Sequence, residues 1–598
     1  MSNERTNLGV YESIGKSIEL MDERMTRAGE RIGLKPYPTD YELVTDEQMV
    51  ELIPYVMMPI HYRHWRYGKQ ALQEKKRAGT FHIFEAVLNT SPSICYLGTT
   101  NTLEMQALVM GHAKWGHVDF FANNKLFKET AASSVVSRFA LAKEKIDSLI
   151  ADPNWGWDSV EAILDAAHAL EDHVAWLPSV RQESDKEVRD AAMEQLRELR
   201  ARIADAGSRS NLDKEMLEKE AAELQARLMR FPFFPTQDIL GFLADPANTP
   251  KLPEEAHMLI SIVRDQGLYF QPQGRTKFMN EGWASYWEKH LLLQPELTFP
   301  IEMRMSLAKY WTMHSRQATN SYFDPYALGL HVFEHIDEKY GYDEGEAEME
   351  VKPLVYLDEN NVTEAETPIT VKYTKRNRDK MLEVRKHYDD NRFLEEFLQE
   401  ELFEKINLKS LEWIRRLMTQ INGLLRKNGW NPQLIRDPLP LTLEGLMEVV
   451  ELWGNTAETS QQLHAQAGAP IFPVPTQILQ EMGTVLQIVG AFDANPHKAR
   501  RQLVLRTAYH SKPMIWLMDT GRRSDGVWTL KHEFDENFGP LMQSEARDTL
   551  KYFRRLCCEP CRLVTMEQRT DRMGRPSGPP VPYEYFTEDG ITVKERFL

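Results

Sequence analysis

The run Val109-Met110-Gly111-His112-Ala113-Lys114-Trp115-Gly116-His117-Val118-Asp119-Phe120-Phe121-Ala122-Asn123-Asn124 places two histidines five residues apart in an apolar surround. Just upstream, Leu103, Met105, Ala107, Leu108, Val109 and Met110 extend the apolar character. Leu103 to His117 therefore reads as a buried helix, since a helix that is hydrophobic all round belongs inside a core. A second segment, Met279-Asn280-Glu281-Gly282-Trp283-Ala284-Ser285-Tyr286-Trp287, sets a carboxylate at the start of a helix and follows it with an apolar face. Around these two segments the chain reads as mainly α.

Two imidazoles and one carboxylate, with a coordination position left open, are the donor set of catalytic zinc. His112, His117 and Glu281 are the candidate ligands. A spacing of five turns the two histidines about 140° apart on a regular helix. Their convergence requires a local irregularity, such as a π-bulge or a turn loosened at Gly116. In H-E-x-x-H peptidases a glutamate general base follows the first histidine; here that residue is Ala113. A base must come from elsewhere, and Glu85 and Asp119 are the candidates. The bland alternative is a buried, hydrogen-bonded histidine pair with no metal.

Working outward, Thr45-Asp46-Glu47-Gln48 is a helix-capping signal. Ile94 to Leu97 reads as a short strand after Pro92. Residues 183–230 are rich in Glu, Arg, Lys, Ala and Leu at helical spacing, a charged helical hairpin broken near Ala206-Gly207-Ser208. Helices are expected over 254–267, 277–292, 300–312 and Pro325 to Tyr340. The division that follows is a helical domain over 1–345 carrying the arm, an acidic connector over 346–375, a helical region over 376–500, and a small α/β module over 501–598. In the connector Val351 to Leu357 has strand character. In the last module Gln502 to Tyr509, Pro513 to Met518, Val527 to Phe534 and Arg562 to Met566 read as strands, and Arg547 to Cys557 as a helix.

Composition narrows the function classes. The 598 residues carry a formal net charge of −17, which disfavours wrapping nucleic acid or lying on an anionic membrane. The N-terminal stretch lacks an apolar targeting core. No window offers the run of about 18 apolar residues that a membrane span needs. The expectation is a cytoplasmic protein. Cys557-Cys558-Glu559-Pro560-Cys561 lacks the second ligand pair of a structural zinc site, so its cysteines read as plain thiols. His61-Tyr62-Arg63-His64-Trp65-Arg66-Tyr67-Gly68-Lys69 is aromatic and basic, suited to a peptide or phosphate contact or to surface packing. With neither a P-loop nor G-x-G-x-x-G, nucleotide chemistry is not indicated.

Taken together the motifs resemble the SpoVR family (stage V sporulation protein R). The resemblance runs through His112-Ala113, Gly116-His117, Phe120-Phe121 and Asn123-Asn124, then Leu164 to Leu170, Val263-Arg264, Tyr269-Phe270, Pro272-Gln273, Thr276-Lys277 and Met279 to Trp287. Asp324-Pro325-Tyr326-Ala327-Leu328-Gly329 is similar to the family's N-P-Y-A-L-G, and Leu530-Lys531-His532 with Gly539-Pro540-Leu541 to its C-terminal module. Glu288 stands where the family usually has histidine, and Gln266 where glutamate is common. The resemblance implies a role in sporulation or stress response. It also implies partnership with a PrkA-like serine protein kinase and a von Willebrand factor A-like protein.

A second resemblance is narrower. Asn280 to Tyr286 is similar to the N-E-G-F-A-S-Y segment of gluzincin aminopeptidases, where the glutamate is the third zinc ligand. On that likeness the two motif helices form a gluzincin-like pair, Glu281 joins His112 and His117 on zinc, and Tyr326 stabilises an oxyanion. The implied function is a metal-dependent hydrolase of peptide or cell-wall bonds. The alternative is a non-catalytic regulatory or scaffold protein working with the PrkA-like kinase.

Overall fold

The computed structural model describes residues 2–45, 47–49, 85–175, 185–205, 211–318, 324–358, 361–406, 419, 496–508, 512–536, 539–567, 569, 578–587 and 592–598. The aromatic and basic stretch His61 to Lys69 and most of the 400–500 region lie outside the described residues. The fold is mainly α, with small sheets. Its two compact units are interleaved in sequence: one gathers Met1–Met49, His82–Lys125 and Arg275–Ala508, the other Leu126–Gly274 and Tyr509–Leu598.

In the first unit, the helix Leu103–His112 starts from Thr102, whose hydroxyl accepts from the Met105 amide. Leu103, Gln106, Ala107, Leu108, Val109, Met110 and Gly111 are all buried, as an all-apolar helix requires. It continues into a π-helical turn, Ala113–Val118, and then the short helix Asp119–Asn123. The helix Lys277–Leu292 packs against Leu103–His112 and the π turn, and also against Pro325–Tyr340. Trp115, Trp283, Trp287, Phe120 and Phe333 are fully buried in this unit. Two backbone contacts set the spacing. A Cβ on Gly116 would fall 2.4 Å from Ala284 Cα, and one on Gly282 would fall 2.3 Å from the Gly329 carbonyl carbon. Both positions admit only glycine without displacing a helix.

The same unit holds a three-stranded sheet in which Ser93–Gly98 lies between Thr39–Val44, parallel to it, and Glu85–Val87, antiparallel. Thr45 and Gln48 form the reciprocal capping box: Thr45 Oγ1 accepts from Gln48 N at 3.2 Å and Gln48 Oε1 from Thr45 N at 2.9 Å. The acidic segment after Tyr340 is two antiparallel strand pairs: Tyr342–Val351 with Ile369–Asn377, and between them in sequence the hairpin of Leu354–Asp358 with Asn361–Glu364.

In the second unit, the arm is a pair of packed helices, Asp185–Asp205 and Asn211–Leu228, around Ala192, Leu196, Leu199, Ala221, Leu224 and Phe233. The C-terminal module is a five-stranded sheet with its strands adjacent in chain order. Trp528–His532 and Cys561–Glu567 run parallel and are joined through the helix Gln543–Cys557. Along Cys561–Glu567 burial alternates strictly, which marks one covered face.

One sequence expectation is corrected. Of Gln502 to Tyr509, read as a strand, the residues up to Ala508 belong to the helix Pro496–Ala508, and Tyr509 lies outside the described residues. Ala499, Leu503 and Thr507 are its buried positions, four residues apart, which is a helical stripe.

Candidate metal centre

The π-helical turn resolves the spacing problem. It carries one more residue per turn than an α-helix, so residues five apart take the relation that i and i+4 hold in a regular helix. His112 closes the α-helix and His117 lies in the π turn. Their rings meet edge to face, centroids 4.7 Å apart. From the neighbouring helix, Glu281 points its Oε2 at both: 3.6 Å from His117 Nε2 and 3.9 Å from His112 Nε2. One ligand atom from each residue lies within 4.8 Å of the other two.

Three donors on one tetrahedral zinc sit about 3.4 Å from one another, given metal–ligand bonds near 2.1 Å. The two carboxylate–imidazole separations, 3.6 and 3.9 Å, are a few tenths of an ångström wider, and all three donor atoms lie within 4.8 Å of one another. Glu281 Oε2 is buried and has no hydrogen-bond partner. A buried carboxylate oxygen without a partner is costly, and a cation between the three groups would remove that cost. The donor set and its placement therefore fit a divalent ion.

Burial lowers the pKa of His117 to about 4; the adjacent His112 pushes the same way, while Glu281 and the Asn280 side chain oppose. Its imidazole is neutral at physiological pH, the form that binds metal. The His117 ring stacks on Phe121, centroids 6.1 Å apart. Tyr326, 45% exposed, lies nearly parallel to the His112 ring at 6.1 Å. Asp324 caps the helix Pro325–Tyr340 by accepting from the Tyr326 amide at 3.0 Å. Its carboxyl is shifted up, first by burial and further by the Glu281 charge.

Tyr326 thus stands beside the cluster. Asp119 is fully buried, and its carboxylate accepts from Lys35 N, Asn123 Nδ2, Trp283 Nε1 and Arg385 Nη1. With both oxygens engaged it ties the π-turn segment to Trp283 and Arg385. Glu85 opens the strand Glu85–Val87, and its side chain lies outside the described residues. The sequence reading missed Glu288, whose Oε2 lies 3.0 Å from His112 Nδ1. Its signal was present: seven residues after Glu281, it falls on the same helix face.

Comparison with known proteins places the chain. The SpoVR like protein family matches residues 13–443. The chain belongs to the SpoVR family. The chain is also similar to the uncharacterized protein YcgB of Escherichia coli (strain K12), 32% identical over 320 residues, covering 51% of this chain and 60% of that protein. The match thus spans less than two thirds of the relative's length. No solved structure matches the chain. Among the described residues no helix is long and apolar enough to cross a membrane.

Proposed function

We propose that this SpoVR-family protein is a metal-dependent hydrolase, acting in the cytoplasm on peptide or cell-wall amide bonds, with His112, His117 and Glu281 as ligands of one divalent ion, zinc first. The observation that carries the reading is the buried Glu281 Oε2, without a hydrogen bond, facing two imidazole nitrogens at 3.6 and 3.9 Å. Held by those three residues, a divalent ion would supply Lewis-acid polarisation of a carbonyl and a bound water with its pKa brought towards 7. The protein's own groups supply the rest. Tyr326, exposed beside His112, is placed to donate its phenol proton towards an oxyanion. Asp324, within electrostatic reach of Glu281, is the nearby carboxyl that takes up a proton.

The test is a screen of zinc-, manganese- and iron-loaded protein against peptide amides and peptidoglycan fragments. Turnover is expected, abolished in Glu281→Gln and lowered about 100-fold in Tyr326→Phe, the usual loss of one oxyanion donor. Turnover undiminished in Glu281→Gln would contradict the assignment.

A second reading keeps the same residues as a buried polar network. It is favoured by the placement of His112 between two carboxylates, Glu288 at 3.0 Å and Glu281 at 3.9 Å. In that reading the protein is a regulatory scaffold of a sporulation or stress programme, holding a PrkA-like kinase and a von Willebrand factor A-like protein. Co-purification of those partners, unaffected by removal of metal, would support it.

A further inference from the structure

Glu288 and Glu281 project from one helix, seven residues apart, and reach opposite nitrogens of a single imidazole. Glu288 Oε2 lies 3.0 Å from His112 Nδ1, while His112 Nε2 faces Glu281 Oε2 at 3.9 Å. The His112 and Glu288 side chains are only 13% and 17% exposed, so their bond is weakly screened. Gly111 brings the two helices close here, its Cβ direction ending 3.4 Å from Glu288 Cα. An ionised carboxylate can only accept. The contact with Glu288 therefore suits the tautomer with its proton on Nδ1, in which Nε2, 3.9 Å from Glu281 Oε2, is the ligating nitrogen.

We infer that Glu288 is a positioning residue of the metal centre: it fixes the His112 tautomer and ring orientation so that Nε2 is the ligand atom, and it supplies charge. The inference rests on the metal reading given above. A histidine ligand whose second nitrogen donates to a carboxylate is held in the binding tautomer and made more basic. Glu288 stands on the Nδ1 side of the ring, away from the three converging atoms, and so acts through His112.

The experiment measures zinc affinity by competition with a chromophoric chelator, and the cobalt(II) d–d spectrum, for wild type, Glu288→Gln and Glu288→Ala. Circular dichroism melts monitor the fold. One ion per chain is expected in all three. Affinity falls about 10- to 100-fold in Glu288→Ala, the usual effect of losing an outer-shell partner. Glu288→Gln, which keeps an acceptor but not the charge, falls less. The cobalt spectrum of Glu288→Ala shifts as the His112 ring loosens. Wild-type affinity and an unchanged spectrum in Glu288→Ala would overturn the inference while leaving the metal site standing. Complete loss of the ion in a folded Glu288→Ala, matching His112→Ala, would make Glu288 a ligand and overturn the positioning role. Absence of any ion in the wild type would remove the metal reading itself, and this inference with it.

Discussion

At the scale of residues, the chemistry was legible where it depends on side-chain type and illegible where it depends on distant contact. His112, His117 and Glu281 announce themselves as donors in apolar surroundings, and the structure gathers them. Glu288 shares a helix face with Glu281, but its contact with His112 emerges only when its helix is laid against one that precedes it by 176 positions. Asp119 shows the converse: a carboxylate beside a histidine reads as a base, yet a tryptophan and an arginine far along the chain claim it. Outside the centre, His532 carries a pH dependence. Buried on the C-terminal sheet and bonded to Thr565 Oγ1 at 2.9 Å, it has its pKa lowered by burial to about 4. Between pH 6.5 and 4 the unfolded chain binds a proton there and the folded chain does not. Stability is therefore full above pH 6.5 and is lost as pH falls through that window, by about 3 kcal/mol for this group. Urea unfolding at pH 7 and pH 5 should show a shallower loss in His532→Gln than in wild type; equal slopes would contradict the assignment.

At the scale of elements, most helices and strands follow from periodicity and caps, and the exception is instructive. Leu503-Val504-Leu505 is a short continuous apolar run, the kind that also suits a buried strand. The helix wins because its buried stripe begins upstream at Ala499, and Arg500 donates to the Leu398 carbonyl. The π turn was legible only as a requirement of the His112 to His117 spacing; nothing in its composition announces it. Its close fit is testable. Gly116 and Gly329 let the site helix approach its two neighbours at backbone distance. Gly116→Ala and Gly329→Ala should each cost about 1–3 kcal/mol by overpacking and weaken metal binding by parting the donors. Thermal unfolding and chelator competition would check both. Unchanged metal affinity in both variants would show that helix spacing does not set the site.

At the scale of the whole molecule, the chain's order conceals its assembly. The donors come from segments separated by the arm, which the sequence shows as a charged helical pair but cannot place. The arm carries its own small core and is tied at its base by Arg189, which pairs with Asp185 and donates to the Leu228 carbonyl. Replacing residues 190–226 with a short glycine–serine link should leave the metal centre intact and move the melting temperature by about 2–4 °C, the effect of roughly 1 kcal/mol in a domain. Loss of metal on that deletion would mean that the arm shapes the site. The most direct measurement of the central claim is metal content per chain, by inductively coupled plasma mass spectrometry, on tag-free wild type, His117→Ala and Glu281→Ala. The expectation is about one zinc, manganese or iron per wild-type chain, lost in both variants while their circular dichroism is retained. A folded wild type that takes up no ion after incubation with each metal would contradict it.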